Sequence, residues 1–166
     1  MAINFPSGPS LNQTYTYNDR TWTWNGQYWY VTAGAGAAGG SGVAARATRS
    51  VTSASLANNA TGTYEIIGYK SYVLYKISTT AASRIRIYTS ATAQTSDLSR
   101  ALGTDPMPGN GILAEALVVG TQILSPGVVG FNDDAVLSNK IYVTVTNLSG
   151  SSAAITVTLT MNGLEN

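Results

Sequence analysis

YTYNDRTWTWNGQYWYV, residues 15–31, holds all three tryptophans of the chain and four of its ten tyrosines. Thr, Tyr and Trp alternate along it, and β-branched and aromatic residues suit a pleated, half-buried surface. Two turn signals divide the run: Asn25-Gly26, whose residues readily take positive φ, and Asn18-Asp19. The pattern predicts a three-stranded meander over 14–17, 20–24 and 27–32. Two-residue loops would place Tyr17 opposite Arg20, Tyr15 opposite Trp22, Trp24 opposite Gln27 and Trp22 opposite Trp29. One face then carries a transverse row of Tyr15, Trp22 and Trp29, and the other carries Thr14, Thr16, Thr21, Thr23, Tyr28 and Tyr30.

A sheet of this size is marginal alone, so its indole face must be covered. Three covers are open: the module's own core, a docking partner, or a sugar ring stacked on the aromatics. For the last two, Tyr15, Trp22, Trp24 and Trp29 are the candidate binding residues.

Around this stretch the composition is sparse in charge. Only 10% of residues are charged against roughly 25% in an average domain, and the formal net charge is +1. The nine basic residues are scattered and form no cluster for a polyanion, so no nucleic-acid partner is expected. Histidine and cysteine are absent, which removes His general bases, Cys nucleophiles, disulfides and the usual zinc ligands together. No basic start with an apolar run opens the chain, and no apolar run is long enough to span a bilayer. A soluble, unprocessed product with no membrane insertion is expected.

Residues 1–13 carry Pro6, Gly8 and Pro9 and read as an extended lead-in anchored by Phe5 and Leu11. A Gly/Ala-rich stretch follows, read as a linker over 33–50. From 51 to 166 the texture is that of an antiparallel β-sandwich, jelly-roll-like, with strands expected at 63–67, 71–78, 84–88, 112–119, 121–124, 128–131, 140–148 and 153–161. The last two alternate most cleanly, with Ile141, Val143 and Val145, then Ile155, Val157 and Leu159, facing a core. In 84–88, Ile85 and Ile87 face the core, which leaves Arg84, Arg86 and Tyr88 as a candidate contact surface. The polar stretch 89–111 predicts one helical turn near Ser96–Leu102, followed by the TDPMPGNG loop, of a length that usually carries function. The fold class is thus all-β in three parts: 1–32, 33–50 and 51–166.

Chemistry is harder to find. Eight carboxylates are present, and a glycosidase would need two of them about 5–9.5 Å apart, for which Glu65 and Glu115 are the candidate pair. Asn132-Asp133-Asp134 is a weak oxygen-ligand signal for calcium, against the reading of an ordinary polar turn. No resident metal, cofactor or catalytic residue is expected.

FPSGPSLNQTYTYNDRTWTWNGQYW resembles a short Trp-rich module recurrent in bacteriophage tail-fibre and other virion proteins, matching at Pro6, Pro9, Gln13, Thr14, Tyr15, Asn18, Arg20, Thr21, Trp22, Trp24, Asn25, Gly26 and Trp29. It departs at Asn12 and Asp19, where glycine is usual. The segments GYKSYVLYKI, RIRIYTS, GTDPMPG, VVGFND and IYVTVTNLSGSSAAITVTL resemble a C-terminal domain of such proteins. The resemblance implies a non-enzymatic virion surface protein, homotrimeric as fibres are, that contacts other virion proteins. A tail fibre contributing to host attachment is expected first, and a capsid decoration protein second. A carbohydrate-binding protein that takes a host surface glycan is the alternative from another class.

Overall fold

Strands β1 (Thr14–Tyr17), β2 (Arg20–Trp24) and β3 (Trp29–Gly34) form an antiparallel sheet in the order β1-β2-β3. The computed structural model describes residues 3–18, 20–34 and 45–165. The chain divides into two compact units, Met1–Gly42 and Val43–Asn166.

In the first unit Tyr15 lies opposite Trp22 and Tyr17 opposite Arg20, as the alternation predicts. Asn18 takes φ 47°, and its turn partner Asp19 lies outside the described residues. The second hairpin differs from expectation: Trp24 faces Trp29 and Trp22 faces Val31. The Asn25 Oδ1 is responsible, because it accepts the backbone N–H of both Gln27 (2.9 Å) and Tyr28 (2.8 Å), while the Asn25 N–H donates to the Tyr28 carbonyl. Asn25 therefore joins the ladder and the reversal falls on Gly26 (φ 96°) and Gln27. Across Trp22–Trp24 the shift is two residues, so those side chains keep their face, and a bulge next to Trp22 then sets Thr21 opposite Ala33 and Arg20 opposite Gly34. On the hydroxyl face Thr16 bonds Thr21 and Thr23 bonds Thr32, each at 2.9 Å.

Among its described residues the second unit has eight strands: β4 (Ala47–Leu56), β5 (Thr61–Ile67), β6 (Ser71–Thr79), β7 (Ser83–Tyr88), β8 (Ile112–Val118), β9 (Thr121–Phe131), β10 (Lys140–Asn147) and β11 (Ala153–Glu165). They make two four-stranded antiparallel sheets, β5-β10-β7-β8 and β4-β11-β6-β9. This interleaving is the jelly-roll order. Ile85, Ile87, Val143, Val145, Ile155, Val157 and Leu159 are all fully buried in the core cluster, so the alternation in β7, β10 and β11 points inward as expected.

Strand β4 begins at Ala47 and β3 runs to Gly34, so both ends of the expected 33–50 linker are strand; residues 35–44 lie outside the described residues. The runs 121–124 and 128–131 are one strand, β9, an edge position that tolerates Pro126.

The outer face of the β4-β11-β6-β9 sheet is rich in hydroxyls. Ser50, Thr158, Ser78 and Thr121 lie side by side across its four strands. Ser78 bonds Thr121 at 3.0 Å, and in the next row Thr52 bonds Thr156 at 2.8 Å. On the outer face of the other sheet the connection between β7 and β8 covers the middle, where Arg84, Arg86, Tyr88 and Thr144 are buried, and leaves Glu65 and Leu117 on the flanking strands exposed.

Candidate functional site

Tyr15, Trp22, Trp24 and Trp29 do come together, around a ring that alternation alone does not place. Phe5 stacks on Trp29 (centroids 5.2 Å apart, planes at 11°) and meets Trp22 and Tyr15 edge-on at 5.5 Å. Trp24 completes the group 5.6 Å from Trp29. The lead-in is held there by backbone bonds: Asn12 N–H to Trp24 O at 2.8 Å, and Trp24 N–H to Gln13 O at 2.9 Å. Trp22 is 7% exposed, while Tyr15, Trp24 and Trp29 are half-buried. The lead-in thus supplies part of the cover that so small a sheet requires, and Phe5 acts as the expected anchor. Leu11 remains 66% exposed.

Arg84, Arg86 and Tyr88 are not a contact surface. They are 2%, 1% and 1% exposed, because the chain between β7 and β8 folds back over them. That crossover starts with a helix, α1 (Ala91–Ser96), earlier than the predicted Ser96–Leu102 turn. The Ser90 Oγ starts it by accepting the Ala93 N–H at 3.1 Å, the usual role of an N-cap serine. The helix ends at Asp97, whose carboxylate sits over β7.

There Asp97 accepts hydrogen bonds from Arg86 Nη1 (2.7 Å), Tyr88 Oη (2.9 Å) and Arg100 Nε (2.6 Å). Arg86 Nη1 also reaches the Asp97 carbonyl at 2.6 Å. A second carboxylate, Glu115 on β8, takes Arg84 Nε at 2.6 Å and Arg100 Nη2 at 2.5 Å. Arg100 thereby bridges both acids, and Arg84 Nη1 caps the Arg100 carbonyl at 2.9 Å. Burial alone would raise both carboxyls. For Asp97 the bonds from Arg100, Tyr88 and Arg86 outweigh burial and hold it below the usual carboxylate range. Arg100 and Arg84 do the same for Glu115. Burial pushes the Tyr88 hydroxyl up to about 12.

The alternation placed the two arginines on the correct face. The one sequence signal for their partners was that the 89–111 connection carries both an Asp and an Arg close enough to fold back.

Two clefts flank this crossover. One, of about 410 Å³, lies between α1 and the TDPMPGNG loop and is lined by Thr89, Thr92, Ser96, Met107, Pro108 and Asp133 among others. Gly111 lets the loop approach: it has φ 76°, and a Cβ there would sit 2.6 Å from Thr89 Oγ1. The other, of about 400 Å³, is lined by Arg84, Arg100, Leu98, Leu102, Leu148, Thr61 and Thr146 among others.

Glu65 and Glu115 are not a catalytic pair. Their strands are first and fourth in one sheet, three strand spacings or roughly 14 Å apart, and Glu65 is bridged instead to Lys140 at 2.9 Å. The Asn132–Asp134 turn is internally satisfied. Asp134 Oδ2 accepts Tyr142 Oη at 2.6 Å and Asn132 Nδ2 at 3.1 Å, and Asn132 Oδ1 accepts the N–H groups of Asp134 and Ser138. Among the described residues no cluster of acidic side chains could hold a metal ion, and no helix is long and apolar enough to cross a membrane.

A scan against known protein families finds no match, and neither curated proteins nor solved structures give a significant one.

Proposed function

We propose that the chain is a non-enzymatic bacteriophage virion surface protein, a tail fibre or fibre-like appendage that assembles as a homotrimer with other virion proteins. The observation that carries this reading is the modular layout: a small aromatic-cored unit, separate from a larger jelly roll. The residues that match the virion module, Tyr15, Trp22, Trp24 and Trp29, are the ones that build the first unit's core. Jelly rolls recur in viral capsid and lectin domains, a fold-level analogy that supports this reading. Labelling intact particles with an antibody to the purified chain tests it. Label on the tail is expected; label on the head at high copy number would make it a capsid decoration protein instead, and absence from particles would sink the proposal. For the trimer, sedimentation should give three times the 17.3 kDa of one chain.

Carbohydrate binding is the second reading, and one observation moves it away from the tryptophans. The cleft beside α1 presents Thr92 and Ser96 hydroxyls and the exposed Asp133 carboxylate, with Met107, 77% exposed, at its edge. A host glycan taken by this protein would be held there. Glycan-array binding lost on Asp133→Asn but kept on Trp24→Phe would support that assignment; the opposite pattern would return the site to the aromatic face.

A further inference from the structure

The network beneath the crossover is unbalanced. It contains three guanidiniums, Arg84, Arg86 and Arg100, and only two carboxylates, Asp97 and Glu115. Arginine keeps its proton in proteins, so one positive charge is left over in a place where every guanidinium side chain is at most 9% exposed. No other acid among the described residues offsets it: Glu65 pairs with Lys140, Asp134 is taken by Tyr142 and Asn132, Glu165 ends β11 in the other sheet, and Asp133 and Asp105 are exposed with no contact to the cluster. The donors are unbalanced too, since Arg84 Nη2 and Arg86 Nε are buried without an acceptor. A buried charge and buried donors left unpaired are both costly, and each such group in a native fold calls for a partner.

Two of the three arginines, Arg84 and Arg100, wall the 400 Å³ cleft. Asn59, Ser99 and Ala101 also line it, and two further groups shape it. Leu98 and Leu102, 40% and 55% exposed, join Leu148 as an apolar wall, and Thr61 and Thr146 share a hydrogen bond of 2.8 Å on the strand side.

We propose that this cleft binds a small aliphatic carboxylate, its charged head toward Arg84 and Arg100 and its chain against Leu98, Leu102 and Leu148. A monoanion matches the surplus of one. A phosphate dianion would overshoot it, and no further cation lines the cleft to receive the second charge. A neutral ligand would leave the surplus in place. Within the cleft the attraction is stronger than at an open surface because the low local dielectric screens it less. This inference is independent of the virion proposal.

The probes are isovalerate and its neutral isostere isovaleramide, added to the full chain at ionic strength matched with sodium chloride. Binding to the folded state alone raises the melting temperature with the logarithm of ligand concentration once sites are filling. Isovalerate is expected to produce that logarithmic rise and isovaleramide none, and the Arg84 Nε–H resonance should shift saturably with isovalerate only. Leu102→Trp, at a half-exposed position that tolerates a larger ring, fills the cleft and should abolish both responses. Equal responses to acid and amide overturn the proposal. So does an isovalerate response that persists in Leu102→Trp, or a chain that shows neither the logarithmic rise in melting temperature nor the resonance shift.

Discussion

Arg86 and Asp97 meet at 2.7 Å with 1% and 2% of their side chains exposed, and this pair ties the β7–β8 crossover to the sheet beneath it. The two partners are not equivalent. Asp97 is the shared acceptor of Arg86, Arg100 and Tyr88, whereas Arg86 is one donor in a cluster that already holds a surplus of positive charge. Breaking a buried pair from one side costs about 3–5 kcal/mol because a charge is left unpaired. Asp97→Asn should fall in that range, and Arg86→Met should cost clearly less, since it removes the surplus charge. Urea unfolding of both variants checks the order; equal losses would show that the surplus is not felt.

The same network sets a pH window. The Asp97 and Glu115 carboxyls sit below their usual values when folded, so their contribution is complete above about pH 4 and is lost as pH falls further. Tyr88 and Tyr142 are pushed up to about 12, so theirs is present below about pH 10 and is lost between there and 12. Stability measured by denaturant should therefore be flat between these limits and fall on both sides. Histidine is absent, and a step near pH 6.5 would contradict this assignment.

Phe5→Ala should loosen the first unit by about 1–3 kcal/mol, less than a fully buried Phe loses, because Phe5 is only half-buried. All three tryptophans lie in that unit, so their fluorescence reports on it alone. A red-shifted emission with unchanged jelly-roll melting is expected; an unshifted spectrum would mean that Phe5 does not shield the indoles.

Gly111→Ala and Gly150→Ala separate strain from crowding. Both glycines have positive φ, 76° and 84°, but a Cβ at 111 would lie 2.6 Å from Thr89 Oγ1 and 2.8 Å from the Ala93 Cβ, while nothing lies within 4 Å at 150. The first should cost more than the roughly 1–2 kcal/mol of left-handed strain that the second alone carries. Thermal melts of the pair decide it, and equal losses would show that the loop yields freely at 111.

Much of this fold is legible from side-chain period. Ile141 to Val145 and Ile155 to Leu159 alternate so cleanly that their inward faces follow directly, and the Asn18 turn gives the Tyr15–Trp22 pair its register. What period does not carry is competition from side chains. Asn25 slides the second turn through its own Oδ1, and Ser90 starts a helix that its short polar run does not announce. Strand β4 escapes because Ala47 to Leu56 is mostly small and hydroxylated, with little apolar alternation. Arg84 and Arg86 read as solvent-facing because the acid that buries them arrives from a different segment. Which residues share a face is local information; which segment covers that face is not.

The row of Ser50, Thr158, Ser78 and Thr121 has a further consequence. Hydroxyls that bond across strands keep this face wettable without using ions. Salt screens only charges, and this row offers it none to screen. Two copies meeting through this row would have to strip water from its hydroxyls, and the ionic strength would act only through charges beside the row, of which Lys76 on β6 is one.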